Sequence, residues 1–239
     1  MLDTILFDLD GTLLPLDMDK FTEIYFKEMG YMFKDMIEPR LLVKHIWTAT
    51  QEMVENTEYK TNEEVFMDKF SELIGGDIYE YRKQFDDFYD TLFHKTREAA
   101  QSNTLIKEII NILKEKNYRL VIATNPLFPR KAIHHRIEWA GLDRKDFIYI
   151  TSYEDNHYCK PQLQYYKEVL DAIGRKPEQC MMVGNDVQED LIALQLGIKT
   201  FLVRNHMIHR TQEDIETTHE GYYEDLYEFV KGLEPVPAA

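Results

Sequence analysis

Short apolar runs alternate with amphipathic stretches in two parts of the chain. Five four-residue runs are typical of buried strands, at 4–7, 120–123, 147–150, 180–183 and 200–203. Between them, apolar residues recur at helical spacing over about 104–116, 130–139, 162–173 and 187–196. This alternation predicts an α/β fold, a doubly wound, Rossmann-like parallel sheet covered by helices on both faces.

Residues 14–102 show helical periodicity alone and hold 15 of the 30 aromatic residues. Such residues either line a pocket or fill the core of a small bundle, and we favour the core because a small bundle needs bulky side chains. We predict an all-helical domain at 14–102, inserted into a core formed by 1–13 and 103–239. The end of the chain, 234–239, is expected to be a loose tail.

The amino-acid composition limits the kinds of molecule that the protein is expected to bind. The net charge of −15 disfavours nucleic acid and anionic membranes. The charge is uneven, since 14–102 holds 19 acidic and 11 basic residues whereas 103–210 holds 16 basic and 13 acidic. Two cysteines exclude a disulfide framework and a four-cysteine zinc site. With no apolar leader or membrane-length run, we expect a cytoplasmic protein, either a monomer or a weak dimer.

Polar residues follow the predicted strands. Each group alone has an ordinary interpretation as a turn, a loop junction, a surface lysine or a helix cap. Ligands bind at the carboxyl ends of parallel strands, so we expect the groups to meet at one rim. Several ionised carboxylates need a cation there, and oxygen ligands suit Mg²⁺. The groups are Asp8-Leu9-Asp10-Gly11-Thr12, Thr124-Asn125, Lys160-Pro161, and Gly184-Asn185-Asp186 with Asp190.

These four groups, in this order, resemble the four motifs of phosphatases in the haloacid dehalogenase superfamily. The resemblance extends over the whole chain, because the insert at 14–102 is similar to the helical cap that many members carry after the first strand. One departure is Asn185, where the family more often has Gly-Asp. The acid at Asp186 is kept, so the match is hardly weakened.

The resemblance implies a role for each motif residue. Asp8 would be the nucleophile and Asp10 the general acid and base. Mg²⁺ would be held by Asp8, Asp186 and the backbone carbonyl of Asp10. The phosphoryl oxygens would be bound by Thr124, Asn125 and Lys160. Asp190 and Thr12 would support these residues from a second layer.

The implied function is Mg²⁺-dependent hydrolysis of a small phosphomonoester metabolite through an aspartyl-phosphate. A sugar phosphomutase would carry the same motifs and stays open; a non-catalytic phosphate-binding protein is disfavoured by the intact acids. A haloacid dehalogenase proper does not need Asp10, and a phospho-acceptor signalling domain has no 89-residue insert. Arg130 and Lys131 either reach the substrate or decorate a helix start, and the sequence leaves both open.

Overall fold

Six parallel strands form one sheet in the order β3-β2-β1-β4-β5-β6. The computed structural model describes residues 1–75 and 77–237. The strands are β1 (Thr4–Phe7), β2 (Arg119–Ile122), β3 (Tyr149–Ile150), β4 (Cys180–Gly184), β5 (Lys199–Val203) and β6 (His219–Gly221). The α-helices are α1 (Met18–Met32), α2 (Pro39–Glu55), α3 (Asn62–Ile74), α4 (Ile78–Thr91), α5 (Thr104–Glu115), α6 (Arg130–Trp139), α7 (Leu163–Ile173) and α8 (Tyr223–Gly232).

The central strand β1 shows why the sheet is buried on both faces. Successive side chains of a strand point to opposite faces. Ile5 and Phe7 therefore belong to the core that includes α5, α6 and α8, whereas Leu6 belongs to the core that includes α7. The predicted doubly wound α/β class is confirmed, and the strand order reverses beside β1, where such folds bind ligands.

The chain enters and leaves the insert through two segments that lie side by side. The described residues between β1 and α5 form α1 to α4 and a 3₁₀ helix at Phe93–Ala99. The entering and leaving segments pair side by side, since Asp17 N donates to Ala99 O at 3.0 Å and Gln101 N to Pro15 O at 2.9 Å. These paired segments are the covalent connection between the sheet and the inserted helices, which we call the cap. The cap also contacts the sheet domain directly, since Asn62 N donates to Asn156 O at 2.8 Å.

The helix predicted at 187–196 is wrong. The chain instead makes turns over 187–190 and a 3₁₀ helix at Leu191–Leu196. The Tyr166 hydroxyl donates to Glu189 O at 2.8 Å, and this is the carbonyl that residue 193 would use in an α-helix. Ala193 N donates to Asp190 O instead, at 3.4 Å. The backbone here follows the i to i+3 pattern of a 3₁₀ helix, next to an Asp190 side chain that is held by Lys160.

The structure differs from the sequence prediction in two strands and in the segment at 234–237. The run at 147–150 forms a strand only at its last two residues, and β6 was not predicted because it lacks an apolar run. The loose tail is wrong for residues 234–237, because Val236 N donates to Lys116 O at 2.8 Å and the Tyr118 hydroxyl to Glu234 O at 2.9 Å. Residues 238–239 lie outside the described residues.

Within the described ranges, every helix is too short or too polar to cross a bilayer.

Candidate active site

Three neighbouring strands carry their polar ends to one cavity. Asp8 follows β1, Thr124 and Asn125 follow β2, and Asp186 follows β4. These side chains, together with Asp10, line a cavity of about 270 Å³ between the sheet domain and the cap. The structure therefore brings together the residues that the sequence placed at one rim.

The turn after β1 is fixed by close packing against the loop after β4. Gly11 has φ +83°, and a Cβ there would collide with the Asn185 side chain. The Asn185 carboxamide accepts from the Thr12 hydroxyl at 2.9 Å and donates to His206 O at 2.7 Å. The residue that departs from the usual family pattern thus holds the two loops together.

Lys160 lies behind Asp8 and is fully buried. Its Nζ is 3.1 Å from Asp8 Oδ1 and 2.6 Å from Asp190 Oδ1. Asp190 Oδ2 in turn accepts from Asp186 N at 2.9 Å. Gly184 is required beside this cluster, because a Cβ at that position would collide with the Asp190 carboxyl group.

Burial sets the protonation chemistry of this cluster. It raises the pKa of Asp8 to about 6 and that of Asp190 to about 7, although Lys160 opposes both shifts. Burial alone would lower the pKa of Lys160, but the adjacent Asp190 and Asp8 carboxylates raise it well above its ordinary value. Lys160 therefore stays charged, and Asp8 is mainly ionised at neutral pH.

Asn125 connects the second strand end to the Lys160 loop. Its Oδ1 accepts from Lys160 N at 3.2 Å, and its Nδ2 donates to Glu189 Oε2 at 3.0 Å and to Lys160 O at 3.3 Å. The carboxamide is thus engaged with protein partners in this conformation. Thr124 is 3% exposed and lines the cavity directly.

The sequence interpretation missed Arg136, the buried partner of Asp10. Arg136 on α6 is 1% exposed, and its Nη1 contacts Asp10 Oδ2. Its guanidinium also lies 4.4 Å from the Phe128 ring centroid. Burial raises the pKa of Asp10, and Arg136 counteracts this shift. The sequence does contain a sign of this residue's role, because Arg136 falls on the apolar stripe of the helix that follows the second motif, and a charge there must be paired when it is buried.

Arg210, on the loop after β5, was missed as well. Its Nη1 lies 2.6 Å from Asp186 Oδ2 and 2.8 Å from Asp186 Oδ1, while Nη2 lies 3.4 Å from Glu189 Oε1. No spacing in the sequence links this residue to the fourth motif. By contrast, Arg130 contacts Asp155 and Lys131 contacts Asp90, so both form surface ion pairs at the start of α6.

The donor set fits a hard divalent cation. Asp8 and Asp186 present carboxylate oxygens to the same cavity, and carboxylate oxygens are ligands that Mg²⁺ prefers. Over 1–75 and 77–237, no three acidic, histidine or cysteine side chains are already gathered as a cluster. Arg210 holds Asp186 in this conformation, so a cation there would replace the guanidinium.

The aromatic residues of the insert do both things that the sequence left open. Some fill the core of the cap, as we favoured: Phe33, Phe70, Phe88 and Phe93 are fully buried. Others line the cavity at the strand ends, namely Phe21, Tyr25, Phe26, Trp47, Phe66, Phe85 and Tyr89. The cap therefore supplies the wall opposite the strand ends.

The family is established by a family model. A model described as haloacid dehalogenase-like hydrolase matches residues 2–197. The chain belongs to the haloacid dehalogenase-like hydrolases, so the resemblance drawn from the four motifs is confirmed.

Similar proteins include enzymes named as phosphatases. The chain is 28% identical to a glyceraldehyde 3-phosphate phosphatase of Methanothermobacter thermautotrophicus over 109 residues, 44% of this chain and 45% of that enzyme. It is 23% identical to the pyrophosphatase PpaX of Bacillus cereus (strain AH820) over 202 residues, 84% of this chain and 83% of that enzyme. A crystal structure of a HAD phosphatase from Thermococcus onnurineus superposes with a TM-score of 0.62 at 15% identity, over 98% of this chain and 100% of that one, which shows a shared fold.

Replacing Lys160 by Met should remove the counter-charge of two buried carboxylates. We expect the free energy of unfolding to fall by about 3–5 kcal/mol near pH 8, measured by urea titration with a chelator present. The loss should shrink toward about pH 5, because the folded variant binds extra protons at Asp8 and Asp190. Lys167→Met, on the exposed face of α7, should unfold like the parent. Equal stability of Lys160→Met and the parent near pH 8 would contradict the buried pairing.

Mg²⁺ should raise the melting temperature through Asp186. At 100 times the dissociation constant, a ligand of the folded state stabilises by about 2.7 kcal/mol, which corresponds to several degrees. Asp186→Asn should lose most of this shift, whereas Arg210→Gln should keep or enlarge it because the competing guanidinium is gone. Asp171→Asn, exposed on α7, is the matched control. A full shift in Asp186→Asn would exclude Asp186 as a ligand.

Proposed function

We propose that this protein is an Mg²⁺-dependent phosphohydrolase that cleaves a small phosphomonoester metabolite through an aspartyl-phosphate on Asp8. One observation carries the proposal: two carboxylates end β1 at the cavity, Asp8 beside the buried Lys160 and Asp10 beside the buried Arg136. Membership in the haloacid dehalogenase-like hydrolases and the phosphatase names of two relatives support the same reaction class.

In the first step Asp8 attacks phosphorus, and the bond from phosphorus to the alcohol oxygen breaks as the new oxygen–phosphorus bond forms. Lys160 engages Oδ1 of Asp8, so Oδ2 is the attacking oxygen. Asp10 donates a proton to the departing oxygen. Arg136 holds its Oδ2, so the proton resides on Oδ1, which has no other partner among the described residues.

In the second step water attacks phosphorus, Asp10 takes the proton from this water, and the bond from Asp8 to phosphorus breaks. Inorganic phosphate leaves, and both carboxyl groups return to their starting states. Bound Mg²⁺ offsets the repulsion between the anionic nucleophile and the anionic phosphoryl group. Thr124, which lines the cavity, is proposed to bind a phosphoryl oxygen, and Asn125 would do so by giving up its bond to Glu189 Oε2. Lys160 is buried between Asp8 and Asp190, so we propose that it holds the nucleophile from behind and does not bind the phosphoryl oxygens that the sequence analysis assigned to it.

Asp8→Asn should abolish turnover and leave the fold intact, because the amide removes the nucleophile without changing shape. Phosphate release from a panel of phosphomonoesters measures the activity, and circular dichroism checks the fold. Asp3→Asn makes the same chemical change at the other end of β1 and should keep activity. Turnover at the parental rate in folded Asp8→Asn would overturn the assignment.

Asp10→Asn should lower kcat by about 100-fold or more for an alkyl phosphate, as expected for loss of a general acid. In single-turnover experiments the loss should be smaller for p-nitrophenyl phosphate, because its leaving group needs no proton. An equal loss for both substrates would argue that Asp10 supports structure and not proton transfer. The phosphomutase alternative is distinguished by its product. If the parent protein transferred the phosphoryl group to a second sugar hydroxyl and released no inorganic phosphate, it would be a phosphomutase.

A further inference from the structure

The cavity above Asp8 is aromatic on the side of the cap. All four helices of the insert contribute, with Phe21, Tyr25 and Phe26 from α1, Trp47 from α2, Phe66 from α3, and Phe85 and Tyr89 from α4. From the sheet domain, Phe128 closes the floor, its ring centroid 6.0 Å from that of Phe21 and 5.8 Å from that of Tyr25, both edge to face. The phosphate end is polar and the opposite wall is apolar.

Part of this aromatic surface is exposed in a way that a core would not be. Trp47 is 56% exposed, and its ring centroid lies 5.7 Å from that of Phe26. Phe26, Phe66 and Phe128 are only partly buried although they pack against the core. Exposed apolar surface inside a concavity marks a place where a ligand excludes water.

The charge of the side chains that line the cavity disfavours a substrate whose alcohol portion carries a second anionic group. Among the described residues that line the cavity, Arg210 is the single cationic side chain, and it pairs with Asp186 at the phosphate end. A second anionic group placed against the cap wall would therefore lack a counter-charge. The Tyr25 and Tyr89 hydroxyls bond to each other at 2.9 Å. The hydroxyl-bearing residues Thr22, Thr50 and Tyr153 also line the cavity, so the aromatic rings form most of its apolar wall but leave some polar groups.

We propose that the cavity takes a phosphomonoester with an aromatic alcohol portion, its ring lying against Trp47, Phe26 and Phe128. The inference rests on the proposed phosphohydrolase function and deepens it by naming the substrate class. Sugar phosphates and diphosphates are poorer substrates under this assignment. A polyol covers less of the apolar wall than an aromatic ring does, and the described lining offers a second anionic group no second cation.

Binding of non-hydrolysable probes tests the substrate class without turnover. Benzylphosphonate, 2,3-dihydroxypropylphosphonate and methylenediphosphonate are titrated by calorimetry into the 239-residue chain with Mg²⁺ present. We expect benzylphosphonate to bind at least about tenfold tighter than either of the others. Equal affinities, tighter binding of the polyol or diphosphonate probe, or no binding of benzylphosphonate would overturn the proposal.

Trp47 provides the matched variants. Trp47→Ala should lower the preference for benzylphosphonate over the polyol probe by about three- to tenfold, because a ring contact is lost. Tyr79→Ala removes another exposed aromatic side chain, from α4 and outside the cavity lining, and should leave the preference unchanged. An unchanged preference in Trp47→Ala would place the ring elsewhere and overturn the proposal.

Phosphate release from benzyl phosphate and glycerol 1-phosphate, two alkyl esters, separates this inference from the proposed function. Hydrolysis of both at equal kcat/KM would overturn the aromatic preference and leave the phosphohydrolase standing. A clear binding preference for benzylphosphonate with no phosphate released from any substrate would overturn the phosphohydrolase and support the aromatic site.

Discussion

The buried ammonium of Lys160 between Asp8 and Asp190 is the interaction on which the rest of the site depends. A charge out of water is tolerated only when it is paired and hydrogen-bonded. This pairing fixes the ends of β1 and β4 and the loop before α7 relative to one another. The bare backbone of Gly184 follows from the same constraint, since the Asp190 carboxyl group occupies the space of a side chain there.

The charge of the whole protein and the charge of the site are separate matters. Most of the excess of acid lies in the cap and the last 29 residues, whereas Lys160, Arg136 and Arg210 belong to the basic stretch at 103–210. Each of these cations pairs with a carboxylate at the cavity. Exposed charges of the cap are screened within about 10 Å at ordinary ionic strength. Under our proposal the aromatic wall, and not surface charge, selects the substrate.

Elements with strong local signals were predictable. The apolar runs at Thr4–Phe7 and Cys180–Val183 read as buried strands because both faces of a parallel sheet are covered. β6 could not be found, since an edge strand of polar residues has no such signal. The helix predicted at 187–196 was wrong because apolar spacing does not separate an α-helix from the turns and the 3₁₀ helix that the chain forms there, where Ala193 N bonds to Asp190 O.

The sequence by itself determined the fold class, the family and the motif residues that meet at the rim, because strand ends and motif order are local properties. Only the tertiary structure decided which cation serves which acid: Lys160 for Asp8, Arg136 for Asp10 and Arg210 for Asp186. It also decided which aromatic residues of the cap face the cavity and which fill the core. The physical reason is that these contacts join residues that are 24 to 152 positions apart, a separation at which periodicity and spacing carry no information.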